Sequence, residues 1–152
     1  MADRVVILNK GRIEQIDTPQ NCFMNPKTET AAALLGIGNR VPGYARVDGG
    51  EMIDGGGVCR TLGRDGIHEN DRVTVRFRAE NAVWTGAERR ENSFPVAVEG
   101  SFFEGDHYRV MAKMGMGETV SFLSREYLEK GTEGYISVDG GRVYVYGART
   151  AA

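Results

Sequence analysis

Residues 71–80 have the sequence Asp-Arg-Val-Thr-Val-Arg-Phe-Arg-Ala-Glu, in which apolar and polar side chains alternate. In an extended chain, Val73, Val75 and Phe77 fall on one side and the residues between them fall on the other. A period of two is typical of a β-strand that buries one face. This stretch therefore predicts a strand that lies against an apolar core.

The same alternation recurs along the chain after residue 38. Its apolar members are Phe94, Val96, Val98, Tyr108, Val110, Ala112, Met114, Val120, Phe122, Ile136, Val138, Val143 and Val145. Glycine is abundant, at 21 of 152 residues, and forms turn-like clusters at Asp48-Gly49-Gly50, Gly55-Gly56-Gly57, Gly115-Met116-Gly117 and Asp139-Gly140-Gly141. About seven to nine short strands at this spacing predict a β-sandwich or a small barrel.

The segment before this region has a different pattern. Residues 4–16 contain two short apolar runs on either side of Asn9-Lys10-Gly11, which predicts a β-hairpin. Thr18 as N-cap and Pro19 at the first helical position predict a helix from Thr18 to about Met24.

A second helix is predicted from Lys27 to Leu35. Ala31, Leu34 and Leu35 share one face of it, and Gly36 is placed to end it. Helical periodicity then gives way to a period of two. We therefore expect two domains, residues 1–36 and residues 37–148.

Composition excludes several classes of function. The formal net charge is −2, and Arg89-Arg90 is flanked by acidic residues, which argues against a nucleic-acid interface. No apolar run approaches the ~18 residues of a membrane-spanning helix, and the first residues do not resemble a secretory signal. The spacing of Cys22 and Cys59 does not suggest a metal site, so we expect a reducing, cytoplasmic compartment.

Motifs for nucleotide chemistry are absent from the sequence. No stretch matches G-x-x-x-x-G-K-(S/T), the loop whose backbone amides hold nucleotide phosphates, and the sequence Leu-Ser-Gly-Gly-Gln does not occur. Without such a loop and a carboxylate to hold Mg²⁺, ATP is not hydrolysed. We expect no catalytic, cofactor-binding or metal-binding residue in this chain.

Two side-chain groups could suggest other chemistry. Glu104-Gly105-Asp106-His107 contains three potential metal ligands, but we favour a solvated hairpin loop, because a metal site needs further ligands. Ser101, His107 and Asp106 are the residue types of a hydrolase triad, but the sequence has no nucleophile elbow. We therefore assign neither group a reaction.

Three residues that follow the strand predicted at residues 71–80 or lie at its end are expected to have structural roles. Trp84 is expected to pack at a strand end rather than to serve as a stacking platform for a ligand. Arg78 and Glu80 are expected to form either a polar link across the barrel or an ordinary exposed pair.

The N-terminal segment resembles the end of the nucleotide-binding domain of ABC (ATP-binding-cassette) transporter ATPases. The family pattern there is ADR(V/I)-x-(V/I)-(L/M)-x-x-G-x-I-x-Q-x-x-(T/S)-P. The matching residues are Ala2, Asp3, Arg4, Val5, Ile7, Leu8, Gly11, Ile13, Gln15, Thr18 and Pro19. The chain departs from the family at residues 21–23, where the acidic residue of the capping box is missing.

The remainder resembles the transport-associated OB-like (TOBE) domain appended to importer ATPases. Residues 39–43 resemble its N-x-(L/F)-x-G opening, and residues 71–80 resemble its strand ending in R-P-E. Residues 98–108 resemble the V-x-x-x-x-(Y/F)-x-G strand that follows. Ala79 occupies the position of the family's proline, which puts the sharp turn at that point in question.

The resemblance implies the C-terminal part of an importer ATPase of polyamine or iron type. The intact parent would bind ATP and Mg²⁺, act with transmembrane permease subunits, and lie at the inner face of the membrane. This chain would supply dimerisation and regulation, as a homodimer that binds no nucleic acid. The alternative from another class is a free-standing OB-like domain that binds oxyanions through amides in its glycine-rich turns.

A physical expectation follows for residues 1–36. The hairpin and the Ala31/Leu34/Leu35 face would pack on a larger ATPase body, and a two-stranded hairpin alone is marginal in water. We therefore expect this segment either to dock on another copy of the chain or to be mobile.

Overall fold

A computed structural model describes residues 3–45, 50–53, 58–60, 67–68, 70–115 and 117–147. Side chains of residues 50–53 and 58–60 are not part of that description, so Cys59 is placed only by its backbone. The predicted turns at residues 48–50, 55–57 and 115–117 lie wholly or partly outside the described residues.

The N-terminal segment forms the predicted hairpin and helices. Strand β1 (Val5–Asn9) pairs antiparallel with β2 (Arg12–Asp17). Lys10 and Gly11 have φ of 51° and 78°, as a two-residue turn with left-handed central residues requires. Helices α1 (Pro19–Met24) and α2 (Glu29–Leu34) follow.

Threonine side chains fix where both helices begin. Thr18 Oγ1 accepts a hydrogen bond from the Asn21 amide at 3.2 Å, and Thr28 Oγ1 accepts one from the Ala31 amide at 3.1 Å. Because Thr28 is the N-cap, α2 begins two residues later than the sequence pattern predicted. Gly36, with φ of +84°, follows the helix end as predicted.

The predicted apolar face of α2 was wrong in one residue. Leu34 is 64% exposed, whereas Ala31 and Ala32 are fully buried and Leu35 is partly buried. Ala31 packs with Ile7 and Cys22, and Ala32 packs in a separate cluster with Ile37 and Tyr146. Helix α2 therefore contacts both the hairpin side and the first sheet, and its buried face does not include Leu34.

Ten further strands build the body of the molecule. They are β3 (Asn39–Ala45), β4 (Gly50–Ile53), β5 (Val58–Arg60), β6 (Arg72–Phe77), β7 (Ala82–Gly86), β8 (Ser93–Phe103), β9 (Tyr108–Lys113), β10 (Thr119–Ser124), β11 (Glu133–Val138) and β12 (Val143–Gly147). Described strands after residue 38 therefore number ten, more than the sequence pattern predicted, because strands as short as β5 carry too little alternation to be recognised.

The ten strands form two antiparallel sheets with matching order. The first sheet has the order β12-β6-β3-β4-β5, and the second has the order β7-β11-β8-β9-β10. Each strand of the first sheet has an equivalent in the second sheet that lies five strands earlier or later in chain order. The equivalent pairs are β12 and β7, β6 and β11, β3 and β8, β4 and β9, and β5 and β10. The body is thus a structural repeat of two five-strand units, β3–β7 and β8–β12.

Each unit gives its last strand to the other sheet. Strand β7 pairs with β11 of the second unit, and β12 pairs with β6 of the first. A short 3₁₀ helix precedes each exchanged strand, at Ala79–Asn81 and at Gly140–Arg142. The turn after β6 therefore forms with Ala79 in place of the family's proline.

One apolar core fills the space between the sheets. Most residues predicted from the alternation are buried, among them Phe77, Phe94 and Phe122, whereas Tyr108 and Val145 are only partly buried against the core. The rings of Phe77 and Phe94 stack with centroids 5.6 Å apart. The predicted fold class, a mainly β OB-like body preceded by a hairpin and two short helices, is confirmed.

Asn39 joins the two sheets at the start of β3. Its side-chain amide donates to the Ser121 carbonyl at 2.7 Å, and its oxygen accepts from the Ser121 amide at 2.8 Å. Ser121 lies on the edge strand β10, so a buried side chain supplies the pairing that a neighbouring strand would otherwise give.

Candidate functional site

The buried contact between the two helices and the outer face of the first sheet is the candidate functional site. We call it the junction. It consists of Glu29, Arg40, Arg76, Arg78, Tyr144 and Tyr146, together with the helix-end carbonyl groups they bind.

Strand register brings the sheet's part of the junction together. Arg40 lies opposite Arg76, and Arg76 lies opposite Tyr144, so the three residues form one row across β3, β6 and β12. Residues directly opposite one another in antiparallel strands point to the same face. Two cations and a phenol are therefore presented together toward α2.

Glu29 neutralises both arginines of that row. It lies in the first turn of α2 and is 4% exposed. Its Oε1 accepts from Arg40 Nε at 2.8 Å and from Arg76 Nε at 3.1 Å. Arg76 Nη1 also donates to the Ile37 carbonyl at 2.9 Å. A buried carboxylate is tolerated here because charged hydrogen-bond donors surround it.

Arg78 holds the ends of both helices. It is 2% exposed, and its Nη2 donates to the carbonyls of Phe23 at 3.0 Å and Leu35 at 3.3 Å. Those carbonyls lie in the last turn of α1 and just after α2, where a helix leaves acceptors without internal partners. The guanidinium also stacks on the Phe23 ring, 3.8 Å from its centroid.

Tyrosine and arginine side chains from the end of the chain complete the contact. Tyr146 Oη donates to the Pro26 carbonyl at 2.8 Å, and burial raises the pKa of Tyr146 well above its ordinary value. Arg142 Nη1 lies 3.1 Å from Met24 Sδ. The segment between the helices is thus fixed to β12, more than a hundred residues away in sequence.

Three buried polar atoms of the junction have no hydrogen-bond partner in the described part of the chain. They are Glu29 Oε2, Arg78 Nη1 and Tyr144 Oη. Each unsatisfied buried group costs about 1–3 kcal/mol. These three atoms are the polar groups of the junction that its described contacts leave without a partner.

The N-terminal segment docks on the first sheet of its own chain through these contacts. The expectation for residues 1–36, docking on another copy of the chain or mobility, did not include this arrangement. The outer face of the hairpin stays uncovered: Val6, Leu8, Ile13 and Ile16 are all exposed. The arrangement was not foreseen because the groups that Arg76 and Arg78 bind are far from them in sequence.

The cluster at residues 104–107 forms an ion-pair network at the tip of the β8–β9 hairpin. His107 Nδ1 lies 2.6 Å from Asp106 Oδ1, and Nε2 lies 3.0 Å from Glu104 Oε1. Hydrogen bonds to Glu104 and then to Asp106 raise the pKa of His107. Hydrogen bonds from Arg109 and then from His107 lower the pKa of Glu104.

The hypothetical hydrolase triad is not formed, because Ser101 is not hydrogen-bonded to His107 although His107 contacts Asp106. Ser101 Oγ donates to the Leu128 carbonyl at 2.7 Å, and both ring nitrogens of His107 are taken by carboxylates. In the described residues, no group of three His, Cys, Asp or Glu side chains is arranged to hold a metal ion.

The other residues singled out in the sequence make structural contacts. Trp84 stacks on Phe122 with centroids 5.6 Å apart, which confirms its packing role. Arg78 turns to the helices while Glu80 is exposed, so neither interpretation proposed for the pair was right. Arg90 pairs with Glu88 at 3.1 Å. No helix in the described ranges is long and apolar enough to cross a bilayer.

Sequence reasoning missed the junction because its partners are far apart in sequence. Arg76 lay on the face expected to meet solvent, and its contacts to Glu29 and Ile37 are not visible in any local pattern. One signal was available in the sequence. Thr74, Arg76 and Arg78 lie on one face of the predicted strand, and two arginines on one face indicate that an acidic residue could pack there.

Comparison with known proteins shows that the chain is similar to ATP-binding proteins of importers. It is 27% identical over 113 residues to a spermidine/putrescine import ATP-binding protein from Clostridium novyi, covering 74% of this chain and 31% of that protein. It is 35% identical over 109 residues to a sulfate/thiosulfate import ATP-binding protein from Chromobacterium violaceum, covering 69% and 28%. A molybdate/tungstate import ATP-binding protein from Pyrococcus abyssi is 27% identical over 154 residues, covering 96% and 43%.

The chain thus spans about a third of the length of the first two relatives. No protein-family model matches it. Among solved structures, the cytoplasmic molybdate-binding protein ModG has the same fold, with a TM-score of 0.59 and 10% identity over 71% of this chain and 94% of that one. These findings confirm the resemblance described above.

Proposed function

We propose that this chain, a homologue of the ATP-binding proteins of ABC importers, is the C-terminal part of such an ATPase and serves it in dimerisation and regulation. The observation that carries the proposal is homology along most of the chain to importer ATP-binding proteins, combined with a hairpin whose apolar outer face is uncovered. The intact parent would bind ATP and Mg²⁺ upstream and work with transmembrane permease subunits at the inner face of the membrane.

The outer face of the hairpin supports attachment to an ATPase body. Val6 and Leu8 alternate with the buried Ile7, and Ile13 and Ile16 lie on the paired strand. An exposed aliphatic face on a two-stranded sheet needs a covering layer to be stable. A larger nucleotide-binding domain would supply that layer.

The junction supports a role in transmitting movement. It fixes the helices that follow the hairpin to β6 and β12, so a displacement of the hairpin would pull on the first sheet through Arg78 and Glu29. The barrel would in this way respond to opening and closing of the nucleotide sites.

The oligomeric state of the purified chain tests the dimerisation role. We expect light scattering coupled to size-exclusion chromatography to give twice the chain mass at high micromolar concentration. A monomer throughout that range would overturn the role. ATP hydrolysis by this chain alone, above a buffer control, would overturn the assignment of ATP chemistry to the upstream part of the parent.

Oxyanion binding is a second candidate, because the fold is shared with ModG, which was solved with molybdate bound. At 10% identity the likeness extends to the fold alone. Melting the chain with and without molybdate, sulfate or phosphate tests the candidate. A rise of several degrees with one anion, and none with chloride at equal ionic strength, would favour it.

A further inference from the structure

We propose that the tip of the β8–β9 hairpin is the surface through which two copies of this chain associate. We call this surface the aromatic tip, and it consists of Phe102, Phe103, Tyr108 and Tyr127. The inference rests on the proposed dimerisation and names its location.

The hairpin extends beyond the core and carries an aromatic ring on each face. Strand β8 has 11 residues, and its last two, Phe102 and Phe103, pair with Arg109 and Tyr108. Successive strand residues point to opposite faces. Phe102 therefore lies on the outer face, where its ring covers Gly100, and Phe103 lies on the inner face.

The inner face of the tip holds a connected aromatic cluster. Phe103 and Tyr108 have ring centroids 5.3 Å apart, and Tyr108 and Tyr127 meet edge to face at 5.7 Å. Phe102, Phe103 and Tyr127 are nevertheless 59%, 65% and 58% exposed. Contiguous exposed aromatic groups mark interaction sites, and Tyr and Phe are enriched at the centres of protein interfaces.

The rim of the tip argues for a second copy as the partner. Arg109 and His107 stand beside Glu104 and Asp106, so both signs of charge lie around the apolar centre. A two-fold interface brings the same patch against itself, which requires self-complementary charge. A mixed rim meets that requirement, whereas a nucleic acid or an anionic membrane would require a basic one.

Single substitutions on each face of the tip test the proposal. Phe103→Asp and Phe102→Asp each place an unpaired carboxylate in the interface, and we expect the dimer dissociation constant to rise at least about 30-fold, as for a central interface residue. Sedimentation equilibrium of the full chain measures that constant. Both residues are mostly exposed, so circular dichroism and the melting temperature of each variant should remain those of the native chain.

Val83→Asp is the matched control. Val83 is 55% exposed and lies on β7 of the same sheet, away from the tip. We expect its dissociation constant to stay within about 2-fold of the native value. Leu8→Asp on the hairpin outer face serves as a second comparison, because that face is assigned to the ATPase body.

The possible outcomes distinguish failure of the aromatic tip as the interface from failure of the dimerisation role. If the native chain is dimeric and both tip variants remain dimeric, the tip is excluded and dimerisation stands. If Val83→Asp or Leu8→Asp dissociates the dimer while the tip variants do not, the interface lies on that other face. If the native chain is monomeric, the dimerisation role fails and the tip proposal fails with it.

Discussion

The two sheets of the body have the same strand order but differ in what their equivalent residues contact. In the first sheet the row Arg40–Arg76–Tyr144 crosses three strands and is covered by the helices. The equivalent row in the second sheet is Ser93–Ser137–Val83, and Val83 is exposed. The two sheets therefore share a backbone arrangement, and a few outward-facing side chains determine that only the first of them binds the helices.

The residue after the fourth strand of each unit shows the same contrast. Arg78 and Asp139 both precede a 3₁₀ helix. Arg78 is buried against two helix ends, whereas Asp139 is exposed. Arg78 is therefore buried because the two helices cover it, and not because of the backbone geometry that it shares with Asp139.

The largest expected effect is on the first sheet. Glu29→Ala leaves Arg76 largely buried without its carboxylate, and we expect a loss of about 3–5 kcal/mol in the free energy of unfolding, as for other broken buried pairs. Urea denaturation measures it. Glu80→Ala, at an exposed carboxylate, should stay within about 0.5 kcal/mol of the native chain. Equal losses for the two variants would contradict the special position of the first sheet.

The second sheet has its own point of tight packing, where β11 meets the exchanged strand β7. A Cβ on Gly134 would clash with the Trp84 ring and would lie 2.8 Å from the Gly86 carbonyl oxygen. We expect Gly134→Ala to cost about 1–3 kcal/mol in thermal or urea unfolding. Gly100→Ala in the same sheet meets only Phe102 ring atoms at 3.5 Å, so it should be neutral or slightly stabilising.

A third variant tests the link between the sheets. Asn39→Ala removes both hydrogen bonds to the Ser121 backbone, and we expect a loss of about 1–2 kcal/mol. Ser121→Ala keeps those backbone groups and gives up only a 3.5 Å hydroxyl contact, so its unfolding free energy should be nearly unchanged. If Ser121→Ala were as damaging as Asn39→Ala, the backbone bonds would not be the link.

The smallest expected effect is a change in titration at the aromatic tip. Hydrogen bonds to Glu104 and Asp106 raise the pKa of His107 above its ordinary value of 6.5. Because the folded-state pKa is raised, the stabilising contribution is complete below the ordinary value and is lost as pH rises through the raised one. NMR titration should show the raised pKa, with Glu104→Gln lowering it more than Asp106→Asn. An unchanged pKa in both variants would contradict the network.

Local patterns predicted those parts of the fold that depend on neighbours in sequence. The alternation around Val75 identified a strand, and Thr18 with Pro19 identified the start of α1, because each signal lies within one turn or one strand. Arg78 was paired with Glu80 for the same reason, whereas its true partners, Phe23 and Leu35, are 55 and 43 positions away.

The repeat escaped notice because the two units share geometry and few side chains. Arg78 and Asp139 hold equivalent positions but carry opposite charges. Of the candidate sites, sequence correctly placed the 104–107 group in a hairpin loop and gave Trp84 a packing role, which its stacking on Phe122 confirms. The domain boundary near residue 36 stays a prediction.

The exchange of β7 and β12 has a consequence for how the body unfolds. Each sheet is completed by a strand from the other unit, so neither half is a whole folding unit, and the body should lose its structure in one cooperative transition. A cut in the 87–92 connection would yield two fragments, each lacking the strand that closes its sheet. Mixed together, those fragments should recover the native structure by mutual complementation, although neither would fold when kept apart.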